Sequence, residues 1–194
     1  MSAHYAREWA LPEDAPAVFG RVTDLGTLLR LAPQWDVTSF KMSGPPAAGA
    51  GFLFDVEFDR SEKAVSFKGE VAEYSPGSAL RLALSAPETS MRVDVEIADH
   101  PMGSRLRFGV ATDPPPQAED LREYDLWARS LVNYLAISRS RSPLTRVWKW
   151  FLDRWWLNMA QSGKRIVFFV VVGEAFSLVF LIAILVWWKF FPSP

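Results

Sequence analysis

The chain has no cysteine among its 194 residues. Disulfides, thiol nucleophiles and thiolate metal ligands are therefore excluded, and a reducing compartment fits. Histidine is nearly as scarce: His4 stands near the start and His100 in a His-Pro turn. No HxH, HxxxH or ExxH spacing occurs, so neither a metal site nor a cofactor is expected. GxSxG, P-loop and GxGxxG motifs are missing as well, and the glycines of GPPAAGAG (44–51) fit a strand connection. The opening MSAHYAREWALPED lacks the apolar run of a signal peptide. Basic charge is short over the first 138 residues, where 13 Lys and Arg face 20 Asp and Glu. Such a domain offers no basic face to phosphates, and nucleic acid is not an expected partner.

Charge is almost absent from Ile166 to Trp188, a run of 23 residues whose one ionisable side chain is Glu174. As a helix it measures about 34 Å, enough to cross a bilayer core of about 30 Å. Residues 139–165 carry seven basic side chains and only Asp153 as an acid, whereas Lys189 is the lone cation beyond the run. The positive-inside bias then predicts a single-pass protein with its N-terminal domain cytoplasmic and a short C-terminus on the far side. In a prokaryote that membrane is the bacterial inner membrane, and its anionic headgroups suit the basic stretch.

Residues 4–12 read as a first strand ending at Pro12. Two short helices follow, opening near Asp14 and Asp24, and Pro33 stops the second. The period then becomes two. Phe52, Phe54, Val56 and Phe58 alternate with Leu53, Asp55, Glu57 and Asp59. Later runs repeat the pattern around Val65–Val71, Leu80–Leu84, Met91–Ile97 and Leu106–Val110. Turn residues separate them, which predicts an antiparallel sheet with one buried and one wet face. After DPPP (113–116), Gln117 to Ser138 reads as one long helix whose apolar stripe carries Leu121, Tyr124, Ala128, Leu131, Leu135 and Ser138, widened by Trp127, Val132 and Tyr134. Past a hinge at 139–143, Leu144, Val147, Trp148, Phe151, Leu152, Trp155 and Met159 recur at helical spacing among Arg146, Lys149 and Arg154. That is a basic, Trp-rich amphipathic helix, expected to lie in the headgroup plane; the alternative is a surface helix packed on the domain. QSGK (161–164) is expected to turn the chain from in-plane to across.

This order resembles the helix grip of the START-like/Bet-v-1-like (SRPBCC) superfamily, on its polyketide cyclase-dehydrase and coenzyme-Q-binding side. The carrying segments are EWALPEDAPAVF (8–19), LLRLAPQW (28–35), GEVAEYSPGSALRL (69–82) and LWARSLVNYL (126–135). The resemblance covers about residues 4–138. It implies an α+β fold, an antiparallel sheet wrapped on a long helix, with room for an apolar cavity between them. Membrane-tethered relatives of the carbon monoxide dehydrogenase accessory-protein type offer an analogy of architecture only. The organisation expected is a helix-grip domain over 1–138, an interfacial helix over 139–163 and a transmembrane helix over 164–191.

Candidate cavity walls are Trp35, Phe52, Phe54, Phe58, Phe67, Leu82, Met91, Val93, Phe108, Trp127 and Leu131, with Tyr134 as a polar handle. The alternative is that they fill the space as an ordinary core. Trp148, Phe151, Trp155, Arg146, Lys149 and Arg154 are the expected membrane-interface residues. Gly173 and Ser177 form a small-xxx-small pair beside Glu174, the pattern of a helix–helix contact face with a polar clamp. Asp55, Glu57 and Asp59 read as a solvated strand face, and no catalytic residue stands out. Two functions follow: a membrane-tethered, non-catalytic binding module for a hydrophobic molecule (quinone, isoprenoid or lipid), or an assembly subunit of a larger membrane complex. A cyclase-type enzyme is the weaker third, without residues to support it.

Overall fold

The computed structural model describes residues 4–33, 35–42, 50–60, 63–140, 142–159 and 161–190. Residues up to Asn158 form one compact unit and the segment from Met159 a second. The first unit opens with β1 (His4–Leu11), then α1 (Ala15–Val22) and α2 (Leu25–Arg30). Asp24 caps α2 by accepting from Thr27 N–H at 3.2 Å and from Thr27 Oγ1 at 2.7 Å. Six strands follow: β2 (Asp36–Met42), β3 (Leu53–Arg60), β4 (Lys63–Ser75), β5 (Ala79–Ala86), β6 (Thr89–His100) and β7 (Gly103–Asp113). All seven join one antiparallel sheet in the order β1-β7-β6-β5-β4-β3-β2. The long helix α3 (Ala118–Arg139) completes the helix grip.

Period-two alternation decides which side chains enter the core. Phe54, Val56 and Phe58 on β3 are buried, as are Leu80, Leu82 and Leu84 on β5 and Leu106, Phe108 and Val110 on β7. Asp55 and Glu57 stand exposed on the opposite face. Gly69 pairs across from Phe54, and a Cβ there would come within 2.2 Å of the Phe54 ring. Only glycine admits that ring.

On α3 the buried stripe is Glu123, Tyr124, Trp127, Ala128, Leu131, Tyr134 and Leu135, whereas Leu121 is exposed. Trp127 is central. Its Nε1 donates to Leu28 O at 2.8 Å, and its ring meets Trp35 at 4.9 Å and Phe108 at 5.2 Å. One indole thereby joins α3 to α2 and to the sheet. At the β1 edge the Tyr5 hydroxyl donates to Asp125 at 3.0 Å, and Asp125 also pairs with Arg129 at 2.8 Å and Arg7 at 3.3 Å.

Beyond Ser140 the expected amphipathic helix comes in two pieces, α4 (Pro143–Phe151) and one π-helical turn (Leu152–Trp156). In the second unit α5 runs from Gln161 to Phe190. QSGK (161–164), where a turn was expected, is helical and forms the first turn of α5. From Ile166 to Ile184 α5 is long and apolar enough to cross a membrane, with mean hydropathy 2.7. The connection 43–49 and the tail 191–194 lie outside the described residues.

Candidate functional site

A cavity of about 530 Å³ opens between the sheet and the N-terminal half of α3, within the 300–1,000 Å³ typical of ligand sites. Its inner wall is built from side chains that the strand period and α3 turn inward: Trp35, Phe58, Phe67, Met91 and Tyr124, all buried. Trp35 stacks on Phe58 at 4.5 Å with the rings 3° from parallel, and Phe58 stacks on Phe67 at 5.2 Å. The result is a continuous aromatic surface backed by Trp127. Val65 and Ala86 complete the apolar lining. The rim is formed by Pro87, Glu88, Pro114, Pro115 and Gln117, all exposed, with half-buried Thr89, Thr112 and Asp120 at its inner edge.

Polar groups gather at that mouth. Glu88 projects from the β5–β6 turn, and Asp120 and Glu123 from the first turns of α3; Glu123 is only 8% exposed. Asp120 Oδ2 accepts from Gln117 N–H at 2.8 Å, closing a capping box. Thr112 faces the cavity as the cross-strand partner of Met91, and its Oγ1 is buried with no hydrogen-bond partner among the described residues.

Of the twelve residues expected as walls, Trp35, Phe58, Phe67 and Met91 line this cavity. The others lie elsewhere. Phe52, Phe54, Leu82, Val93, Phe108, Trp127 and Leu131 are packed in the solid core. Tyr134 sits toward the other end of α3, and its hydroxyl bonds Asp153 at 3.0 Å and Lys149 at 3.1 Å instead of pointing into the cavity. Glu88, Thr112, Gln117, Asp120 and Glu123 were not legible as site residues, because nothing in their spacing separates a cavity rim from an ordinary loop or helix face.

The same Tyr134 contact fixes α4. Lys149 Nζ pairs with Asp153 at 2.6 Å and lies 5.0 Å from the Tyr134 ring centroid. Burial pushes the Lys149 ammonium down, but hydrogen bonds to Asp153 and Tyr134 more than offset it, and its pKa is raised. Burial likewise raises the Tyr134 hydroxyl, against the opposing hydrogen bond from Lys149. Lys149 thus faces α3, while Leu144, Val147, Trp148 and Trp155 are exposed on the other side of the helix and Phe151 is half-buried. Arg154 is exposed. The helix is both packed on the domain, through a polar face, and open along its apolar one.

Asp120 at the mouth and Tyr134 at the α4 contact are fourteen residues apart on α3, about 21 Å of helix. The cavity mouth and α4 therefore occupy opposite ends of the gripping helix, so α4 does not flank the mouth.

In the second unit Gly173, Glu174 and Ser177 are all exposed, and a Cβ on Gly173 would meet nothing within 4 Å. His100 accepts from Met102 N–H at 3.3 Å in its turn. Among the described residues no group of three or more His, Asp or Glu side chains is placed to hold a metal ion.

No family model matches the sequence, and no curated protein matches it. Solved structures do. Ara h 8.0201 is similar with a TM-score of 0.52 at 13% identity, over 70% of this chain and 99% of that one. The AHSA1-like protein from Aeromonas hydrophila gives 0.52 at 14% identity, over 70% and 94%. An uncharacterized protein from Rhizobium leguminosarum gives 0.54 at 13% identity, over 70% and 95%. At these identities the likeness shows the fold alone, an antiparallel sheet gripping a long helix, and leaves function to the site itself.

Proposed function

We propose that the chain is a membrane-tethered, non-catalytic binding module whose cavity takes a hydrophobic molecule such as a quinone, isoprenoid or lipid at the cytoplasmic face. The observation that carries this reading is the aromatic-walled cavity of about 530 Å³ with Glu88, Gln117 and Asp120 at its mouth. A fully packed helix grip would have no such space. The apolar run of α5 supplies the tether, and the exposed Trp148 and Trp155 with Arg146 and Arg154 suit the headgroup region. Tethering holds the domain at high effective concentration near an apolar ligand source. The test is to purify the full chain from membranes in mild detergent and extract it with organic solvent. One equivalent of an apolar molecule is expected, and a chain that is empty from every preparation overturns the reading.

A second reading, an assembly subunit docking through its transmembrane helix, is favoured by Gly173, Glu174 and Ser177, which stand exposed on α5. Small residues admit a close helix approach, and a carboxylate in hydrocarbon costs about 3 kcal/mol unless it meets protein. Glu174→Leu and Gly173→Ile are expected to release any co-purifying membrane partner. Unchanged co-purification counts against this role.

A further inference from the structure

We propose that the open edge of β1 and the adjoining face of α3 form a docking groove for an extended, acidic peptide segment of a partner protein, which adds to the sheet as a further strand. β1 is a terminal strand, and on its side away from β7 it pairs with no strand among the described residues. Its register with β7 is unbroken from His4↔Ala111 to Leu11↔Ser104, whereas β2 at the opposite edge shifts between Val37 and Ser39. A regular edge is the better template for another strand. A groove of about 690 Å³ follows it. One wall is Tyr5, Ala6 and Arg7 in succession. Successive strand residues turn to opposite faces, so a groove touching all three runs along the rim of the sheet and not over one face. The other wall is the stretch of α3 from Leu121 to Arg129, about 12 Å of helix, the length of about three or four strand residues.

The charge of the groove selects its occupant. Arg7, Arg122 and Arg129 line it, all exposed, and among the described residues Asp125 is its one acid. Asp125 already serves two of the cations, Arg129 at 2.8 Å and Arg7 at 3.3 Å, and accepts from the Tyr5 hydroxyl at 3.0 Å. The groove therefore keeps a positive excess, within a domain whose first 138 residues hold 20 Asp and Glu against 13 Lys and Arg. Guanidinium groups offer paired N–H donors that match a carboxylate. Between them Leu121 and Leu126 stand 39% and 46% exposed, a patch for apolar side chains. A small anion would meet the arginines but leave both leucines and the open strand edge unused. A strand with alternating acidic and apolar side chains uses all three: its backbone pairs with β1, its carboxylates meet the arginines and its apolar groups cover the leucines.

The test uses the full chain in phosphatidylcholine nanodiscs and fluorescence anisotropy of a labelled peptide of alternating glutamate and valine. Its lysine–valine counterpart and a glutamate–valine peptide methylated on every backbone nitrogen serve as comparisons. The acidic peptide is expected to bind at least about tenfold more tightly than either, the size of one hydrogen bond to a charged group. Arg122→Glu is expected to weaken it about tenfold, whereas Arg105→Glu, the same change of charge at an exposed β7 position outside the groove, leaves it unchanged. Equal binding of the acidic and basic peptides, or equal losses in the two variants, overturns the assignment of the groove. Undiminished binding of the methylated peptide overturns strand addition. Self-association of the chain that Arg122→Glu abolishes, with no peptide bound, gives the groove to a second copy and overturns the proposal.

Discussion

Tyr5 shows how a single side chain can tie the sheet edge to the helix it grips. Its hydroxyl bonds Asp125, and burial first, then that hydrogen bond, push its pKa well above the usual tyrosine value. The sign of the consequence follows from which state holds its proton more tightly. The unfolded tyrosine ionises near pH 10, while the folded one stays neutral. The stability it contributes is therefore complete below about pH 10 and is lost as pH rises toward the folded pKa. Wild type is expected to lose more stability than Tyr5→Phe between about pH 8 and about pH 11, read from urea midpoints. Equal losses in the two proteins would contradict this. Residue type and spacing also told which side chains face inward, but not how deep each would lie. Phe54 and Phe58 are on one face of β3, yet Phe54 is sealed against Gly69 while Phe58 forms cavity wall. Depth depends on where α3 crosses the sheet, and no local pattern encodes that. Asp120 was hidden for a related reason: it lies in the first turn of α3, where a carboxylate is favourable on its own account.

At the scale of elements the strands were legible because one buried face forces period two, and α3 because its apolar stripe is long. β2 was the least legible strand. Its sequence DVTSFKM has no clean alternation, it lies at the sheet edge, and its register shifts between Val37 and Ser39. The helix after α3 carried two meanings at once. Lys149 and Asp153 at i, i+4 look like an ordinary surface pair, and only α3 reveals that Tyr134 receives them. A half-exposed pair of this kind is worth about 1 kcal/mol at most. Asp153→Asn or Lys149→Met is therefore expected to speed amide exchange over 143–156 while shifting the unfolding midpoint of the domain only slightly. If exchange in that segment is unchanged, the contact does not hold α4.

For the whole molecule, composition placed an acidic domain before a basic, Trp-rich segment and an apolar helix. The chain itself divides after Asn158, so the basic helix α4 belongs with the domain and the apolar helix stands as a separate unit. What composition could not supply was the direction of the cavity. The mouth lies at the N-terminal end of α3, about 21 Å along it from the contact with α4. Under the proposed binding role, a ligand enters at a mouth set apart from α4. The most direct test is native mass spectrometry of the full chain released from membranes, comparing wild type with Ala86→Trp. Wild type is expected to carry one apolar adduct per chain that Ala86→Trp lacks. Bare chain in both, or the same adduct on both, would contradict a ligand held in this cavity.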